Sequence, residues 1–400
     1  MSSSTSHTRA PVAAAVVCLA VGMLAGAWEA RLGAHALEHA RIAQVLSELA
    51  LLVCLFCTGL RIPVPLDLSA WRVPLRLAAF TLPVTIVLVA VAANALLGLS
   101  FPQALLLGAI LGPTDPALAS DLRLPAAARE ETLRFELSAE GALSSTLALP
   151  LVLLALGLCG QHDLGPLALH WMALDLVWAL AAGALLGWLL GVLGAHALSR
   201  LDSRGTPGEL GLTELLVLAS VLALGYSTSV LLHANGFLAV FAAGSSIARG
   251  GVLKMRRDAP WRRLLITAGL ARALRSAAAR VERLAALAMI VVLGALLTVS
   301  SVHSSLVLFA LLVLVAVRPV AARLGLGRAG ADELDRQLIA WFGIRGVASL
   351  YYAMLAIGEG LGTSVAAQLT AVTLVVLATS IALHALTALP LGKRPAAQRS

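Results

Sequence analysis

The chain has 400 residues, of which 60% are hydrophobic and 12% are charged, and its mean hydropathy is +0.92. A soluble domain carries about 25% charged residues, so this composition excludes an ordinary soluble fold and predicts a protein that lies in lipid. The net charge is +8, and the distribution of arginines between loops accounts for it without a nucleic-acid partner.

Apolar windows of about 17 residues or more recur along the whole chain and are long enough to cross a bilayer as helices. One shorter window, 236–249, could be a re-entrant or broken segment. Together the windows predict an all-α polytopic membrane protein with about twelve transmembrane helices. The predicted spans are 11–30, 42–60, 76–98, 102–120, 135–159, 166–198, 210–232, 236–249, 283–300, 305–324, 337–357 and 365–390. No nucleotide-binding loop, metal-ligand cluster or nucleophile motif is found, so we expect neither enzyme activity nor a cofactor.

The fourth window contains a motif that does not suit a continuous helix, Gly112-Pro-Thr-Asp-Pro-Ala117. Pro113 and Pro116 each remove a backbone donor and disfavour helix in the preceding residue, so the helix should break near Thr114. Broken backbone at mid-membrane depth is tolerated where it lines a cavity or is buried in protein. Its free carbonyls, together with the carboxylate of Asp115, could hold a small cation. The alternative is a proline kink with Asp115 near an interface.

Two further spans carry charges, which are costly inside a membrane and mark function or pairing. On the fifth span, Glu136, Glu140 and Ser144 are four residues apart and share one helix face. On the eleventh, Arg345 lies in an otherwise apolar segment. A buried arginine needs a carboxylate partner, so we expect Arg345 to pair with Glu140. The alternative is that Arg345 extends to the cytoplasmic interface.

The sixth window carries another acid and a row of glycines. Asp175 is a second candidate for a buried transport acid, or else a group that only holds a neighbouring helix. Gly183, Gly187 and Gly191 give a repeated GxxxG spacing. We expect this spacing to serve close packing within the chain rather than a dimer seam.

Arginine-rich and arginine-poor loops alternate along the chain, and basic loops remain in the cytoplasm. The pattern predicts a single inner (plasma) membrane domain over 1–400 with cytoplasmic termini, as short tails 1–10 and 391–400. Residues 250–282 form a basic cytoplasmic linker between two halves. Part of this linker could be an amphipathic helix on the membrane surface or a plain connector.

Under this topology the fourth and eleventh windows run in opposite directions, which suggests inverted repeats with discontinuous helices near 102–120 and 337–357. At Gly112-Pro-Thr-Asp-Pro-Ala117 and Trp341-Phe-Gly-Ile-Arg-Gly346, the sequence resembles the monovalent cation/proton antiporters of the NhaP-like, sodium/proton exchanger branch. The resemblance covers nearly the whole chain, and Arg318-Pro319 supports it more weakly.

The resemblance implies secondary active exchange of a monovalent cation, Na⁺ in the first instance, for H⁺ across the inner membrane, a role that serves pH homeostasis. It also implies a homodimer of elevator type in the lipid bilayer. Carried over by match, Thr114 and Asp115 are ion-site residues of the broken helix, and Glu140 and Arg345 are the structural ion pair.

The sequence departs from the family at one place. The family usually has Asn-Asp four and five residues after the glutamate that matches Glu140, and this chain has Ser144 and Ser145. Hydroxyls can coordinate a cation but cannot carry a proton near neutral pH. The expected ion and proton site consists of Asp115, Thr114, Ser144 and Ser145, with Asp175 and Glu136 as secondary acids. The alternatives are a non-transporting paralogue and a proton-independent channel or uniporter on the same fold.

The predicted topology can be tested by cysteine labelling in a cysteine-free background. A cysteine introduced at Gln161, in a loop nearly free of arginine, should react with an impermeant maleimide from the periplasm. A cysteine introduced at Arg204, in a basic loop, should react only after the membrane is opened. The reverse labelling pattern would overturn the topology.

Overall fold

The computed structural model describes residues 10–31, 40–62, 68–117, 130–202, 210–250, 267–297, 303–327 and 333–391. Every regular element in these ranges is a helix. The helices are α1 Ala10–Arg31, α2 Ala40–Arg61, α3 Leu68–Arg76, α4 Leu82–Leu97, α5 Phe101–Leu111, α6 Glu130–Leu158, α7 Ala179–Asp202, α8 Leu212–Leu231, α9 Gly236–Gly250, α10 Ala268–Leu296, α11 Ser304–Leu311, α12 Arg318–Leu326, α13 Glu333–Trp341, α14 Val347–Gly358 and α15 Thr363–Leu391.

Three π-helical segments, each wider than an α-turn, interrupt the long spans. They are Leu77–Thr81 between α3 and α4, Trp171–Trp178 before α7, and Leu312–Val317 between α11 and α12. A short 3₁₀ turn, Pro166–Ala168, precedes the second of them. Each segment joins its neighbours into one continuous span, so all twelve predicted windows have a helical counterpart.

Seven helices in the described part of the chain are long and apolar enough to cross a membrane. Shorter apolar helices, including α5, α9 and α14, add to them. The two predicted breaks are also present. The helix α5 ends at Leu111, and five residues separate the end of α13 at Trp341 from the start of α14 at Val347. The chain is therefore a multi-pass membrane protein with discontinuous helices in the fourth and eleventh spans, as the sequence predicts.

The chain forms two compact units, and three of the four boundaries between them fall inside helices, in α2, α3 and α10. The first unit consists of residues 1–50, 73–162 and 286–400. Part of its core is a cluster of large apolar side chains from the third, fifth, tenth and eleventh spans. The cluster consists of Leu77, Leu133, Leu137, Leu326, Leu338, Ile339, Phe342 and Ile344. Such packing fixes the ends of the discontinuous helices.

The second unit, residues 51–72 and 163–285, confirms the role expected of the glycine row on α7. A Cβ atom on Gly183 would lie 2.6 Å from the carbonyl oxygen of Asn235, and one on Gly191 would lie 2.5 Å from that of Ala243. Both carbonyls belong to the α9 region, so the small residues allow α7 and α9 to touch backbone to backbone. The GxxxG spacing thus serves packing within the chain.

A buried charge pair also lies in the second unit. Glu282 of α10 accepts hydrogen bonds from Arg61 at 2.5 Å and from Thr58 at 2.7 Å, and its side chain is 1% exposed. The helix that carries Glu282 begins at Ala268, so residues 268–282 of the predicted linker 250–282 are helical. Residues 251–266 of that linker, like the tails 1–9 and 392–400, lie outside the described residues.

Candidate functional site

The two broken spans meet inside the first unit. The backbone N–H of Asp115, in the break after α5, donates a hydrogen bond to the carbonyl oxygen of Ile344 at 2.8 Å. Pro113 and Pro116 account for the first break, because neither has an N–H to continue the helix. Residues 342–346 are not helical. The two motifs therefore lie next to each other in the structure.

The carboxylate of Asp115 is placed at the start of α14. One oxygen accepts a hydrogen bond from the N–H of Ala117 and the other from the N–H of Val347, both at 2.9 Å. Val347 is the first residue of α14, where unpaired N–H groups and the helix dipole favour a negative charge. Asp115 is 2% exposed, so burial strengthens this interaction.

Gly346 is required for this approach. A Cβ atom on Gly346 would overlap the Oδ2 oxygen of Asp115. A second close contact lies on the other side of the break, where a Cβ atom on Gly141 would lie 2.8 Å from the nitrogen of Pro116. The two glycines therefore admit the broken backbone between α6 and α14.

The side chain of Arg345 is fully buried and points to the opposite helix end. Its Nη1 donates to the carbonyl oxygen of Gly112 and, at 2.9 Å, to that of Pro113. These carbonyls follow the C-terminus of α5, where the dipole favours a positive charge. Its backbone N–H donates to the hydroxyl of Ser380 on α15 at 3.0 Å.

The predicted pair between Glu140 and Arg345 is wrong, because Glu140 pairs with Arg318 instead. Oε1 of Glu140 lies 2.6 Å from Nη2 of Arg318, and Oε2 lies 2.9 Å from the same nitrogen. Both side chains are 2% exposed. Arg345 does not compete for Glu140, because the carbonyls of the first break take up its guanidinium.

Arg318 was the hardest of these residues to find from sequence. It is the first residue of α12, directly after the π-helical segment Leu312–Val317. In the sequence, Arg318-Pro319 gave only weaker support to the family resemblance and did not indicate a partner for the arginine. Tyr352 was also missed, and its hydroxyl donates to the carbonyl oxygen of Ser145 at 2.5 Å.

The predicted hydroxyl ligands gather around Thr114. The Thr114 N–H donates to Oγ of Ser144 at 3.2 Å, and the two hydroxyl oxygens are 3.4 Å apart. Oγ of Ser145 donates to the Thr114 carbonyl oxygen at 3.2 Å. The serines thus occupy the polar groups that the broken helix leaves free.

A narrow cavity lies on the other side of the break and is lined by Asp115. Its walls also include Met289, Gly346, Leu377 and Ile381. The volume in which the centre of a water molecule fits is about 20 Å³. This is enough space for about one water. None of the three hydroxyl residues lines this cavity, so the predicted set divides into a hydroxyl cluster and a carboxylate that faces α14.

The two secondary acids differ in their surroundings. Glu136 is 5% exposed on α6, as expected for a buried acid. Asp175 is only half-buried, and it lies on the π-helical segment Trp171–Trp178 of the second unit. Asp175 is therefore not fully buried, and its role, in transport or in holding a neighbouring helix, stays a prediction.

The Glu140–Arg318 pair leads to a prediction about stability. Arg318→Met should lower the free energy of unfolding by roughly 3–5 kcal/mol, because it leaves Glu140 buried and unpaired. Arg336→Ala is the matched control, since it breaks the exposed Arg336–Glu333 pair, worth about 1 kcal/mol or less. Thermal unfolding in detergent measures both. Equal losses in the two variants would contradict the prediction, and Glu140→Gln combined with Arg318→Met should recover part of the loss.

Comparison with known proteins shows the family to which this chain belongs. The sodium/hydrogen exchanger transmembrane family model matches residues 2–393. Among similar proteins, the K⁺/H⁺ antiporter NhaP of Alkalimonas amylolytica is 26% identical over 85% of this chain. NhaP2 of Shewanella sp. MR-4, a K⁺/H⁺ antiporter, is 27% identical over 86%. The chain spans 55% and 56% of the length of these two relatives.

A solved structure shares the fold. The sodium proton antiporter MjNhaP1 of Methanocaldococcus jannaschii superposes with a TM-score of 0.70 at 20% identity, over 96% of this chain and 92% of that one. Its structure at pH 8 gives a TM-score of 0.67 over 92% of each chain. The family resemblance inferred from the sequence motifs is confirmed, and the chain belongs to the sodium/hydrogen exchanger family.

Proposed function

We propose that this protein exchanges a monovalent cation for protons across the inner membrane, with Asp115 as the group that binds both. The observation that carries the proposal is a fully buried carboxylate at the meeting point of two broken helices. Buried acids inside membrane proteins are costly and typical of ion and proton pathways. The family and the relatives named as cation/proton antiporters support the same activity.

The competition of cation and proton for Asp115 would supply the coupling. Two backbone N–H groups stabilise the ionised carboxylate, and a carboxylate can accept several hydrogen bonds or ligands at once. A proton on Asp115 removes the charge that attracts the cation. The cavity beside it has room for about one water, so a bound cation would keep few of its own waters.

Ion choice follows from the number of carboxylates. The serines at positions 144 and 145 leave Asp115 as the only carboxylate of the broken-helix motif. One carboxylate gives a weaker electrostatic field at the bound cation than two. A weaker field offsets a smaller share of the dehydration free energy of Na⁺, the smaller ion, than of K⁺. Sequence resemblance favoured Na⁺, whereas the relatives NhaP and NhaP2 are named for K⁺. We therefore infer that K⁺ is exchanged at least as well as Na⁺.

The assembly and orientation belong to the same proposal. We propose a homodimer with both termini in the cytoplasm, on the family resemblance and on the arginine pattern of the loops. The outer faces of α7 and α8 carry large exposed apolar side chains, including Trp188, Leu193 and Leu216. These faces suit lipid or a second copy of the chain.

Asp115→Asn should abolish cation-driven proton flux, because the amide keeps the size of the side chain but cannot take up a proton or hold a cation by charge. Flux is measured as the pH change inside proteoliposomes on addition of K⁺, Na⁺ or Li⁺. Glu131→Gln, which removes an exposed acid at the start of α6, is the control and should transport normally. Normal transport by Asp115→Asn would place the carrier elsewhere, with Glu136 next to be tested.

Ser145→Asp should raise the apparent affinity for Na⁺. A carboxylate at position 145 would face the Thr114 carbonyl oxygen that the serine hydroxyl now contacts, so a proton or a cation must lie between the two oxygens. A second carboxylate strengthens the field that a dehydrated Na⁺ needs. Ser145→Asn is the neutral control of similar size. Unchanged Na⁺ dependence in Ser145→Asp would contradict the role assigned to this position.

A further inference from the structure

His384 is a buried histidine on α15 to which the proposed function assigns no role. It is 4% exposed. Its Nδ1 lies 2.8 Å from the carbonyl oxygen of Ser380, and its Nε2 lies 3.0 Å from that of Trp341. Both ring nitrogens therefore face oxygens that can only accept hydrogen bonds.

This geometry suits a doubly protonated ring. In the imidazolium form both nitrogens donate, and both carbonyl contacts are hydrogen bonds. In the neutral form Nε2 can still donate to Trp341, while Nδ1 needs a donor. The hydroxyl of Ser380 is available at 3.4 Å, so loss of the proton moves the Nδ1 contact from the Ser380 carbonyl to the Ser380 hydroxyl.

That hydroxyl belongs to the crossing of the broken helices. It accepts the hydrogen bond from the backbone N–H of Arg345. Trp341 is the last residue of α13, so a positive His384 would also stabilise the C-terminal end of that helix. The protonation state of His384 therefore acts on both ends of the segment that joins α13 to α14.

The same helix reaches the cavity beside Asp115. Leu377 and Ile381 of α15 line that cavity, and Ile381 precedes His384 by less than one helical turn. A proton on His384 and a cation beside Asp115 would thus be neighbours along one element.

Among the described residues, the two charges that act on His384 are both positive. They belong to Arg345 and Arg318, and the remaining close neighbours include the rings of Trp341 and Phe342. Arg318 is paired with Glu140, whereas Nε and Nη2 of Arg345 have no hydrogen-bond partner among the described residues. Positive charge is already present in this buried region, so a proton on His384 and a cation at Asp115 each make the other less favourable.

We propose that His384 is a second proton-binding group of the exchanger, and that it takes up its proton at Nδ1 as the cation leaves Asp115. The proposal rests on the proposed exchange function. It gives this chain a proton site without the acid that the family usually has at position 145. His384 acts as a positioning residue, through Ser380, Arg345 and Trp341, and does not touch the cation.

A titration of the full chain in lipid nanodiscs tests the proposal directly. With ¹⁵N-labelled histidine, the His384 signals, identified by their absence in His384→Gln, should change from imidazolium to neutral between pH about 5 and 8. Replacing choline chloride by KCl or NaCl should move the midpoint to lower pH by about one unit, a tenfold coupling. A ring that does not titrate, or a midpoint that is the same in choline, K⁺ and Na⁺, would overturn the proposal.

Flux measurements separate this proposal from the exchange function. His384→Gln keeps a hydrogen-bond donor for the Trp341 carbonyl but cannot titrate. The apparent cation affinity of the wild type should therefore change with pH by about tenfold more than that of the variant across this pH range. His196→Gln, on α7 of the second unit, is the control and should keep the wild-type profile. A wild type without flux but with cation-dependent titration of His384 would contradict only the exchange function. Normal flux with the same pH profile in His384→Gln would contradict only the role of His384.

Discussion

The candidate site depends on two charged side chains, each of which stabilises a helix end that belongs to the other broken span. Arg345, from the eleventh span, neutralises carbonyls after α5 of the fourth span. Asp115, from the fourth span, neutralises N–H groups at the start of α14 in the eleventh span. Each break therefore supplies the charge that the other break requires, and neither helix end would be tolerated in a membrane without its partner.

The surrounding residues hold the two broken helices and their charged side chains in place. Gly346 and Gly141 let the broken backbones approach, and the Ser144 and Ser145 hydroxyls satisfy the polar groups of Thr114. The Glu140–Arg318 pair adds a charge-balanced contact between α6 and α12. Removing one of these hydroxyls or one member of the ion pair leaves its partner buried without a hydrogen bond. The free-energy cost of that unpaired group is larger than the net contribution of the contact.

Sequence patterns predicted the spans and both breaks well, because apolar length and proline chemistry act locally. They also identified Asp115 and Arg345 as the charged residues of the two broken spans, although not the partners of Arg345. They failed for the partner of Glu140, since pairing across about 180 residues depends on which helix faces which. They also failed for His384, because a lone histidine in an apolar span gives no signal until the carbonyls of Trp341 and Ser380 are placed around it.

The π-helical segment Leu312–Val317 has a consequence for how this chain can vary. A π-turn contains one more residue than an α-turn, and one residue turns a helix by about 100°. If this segment became α-helical without losing a residue, Arg318 would keep its sequence neighbours but would rotate by about 100° away from Glu140. The extra residue and the π-turn are therefore coupled, since a variant that lost both together would keep Arg318 facing Glu140, whereas loss of either one alone would turn the arginine away.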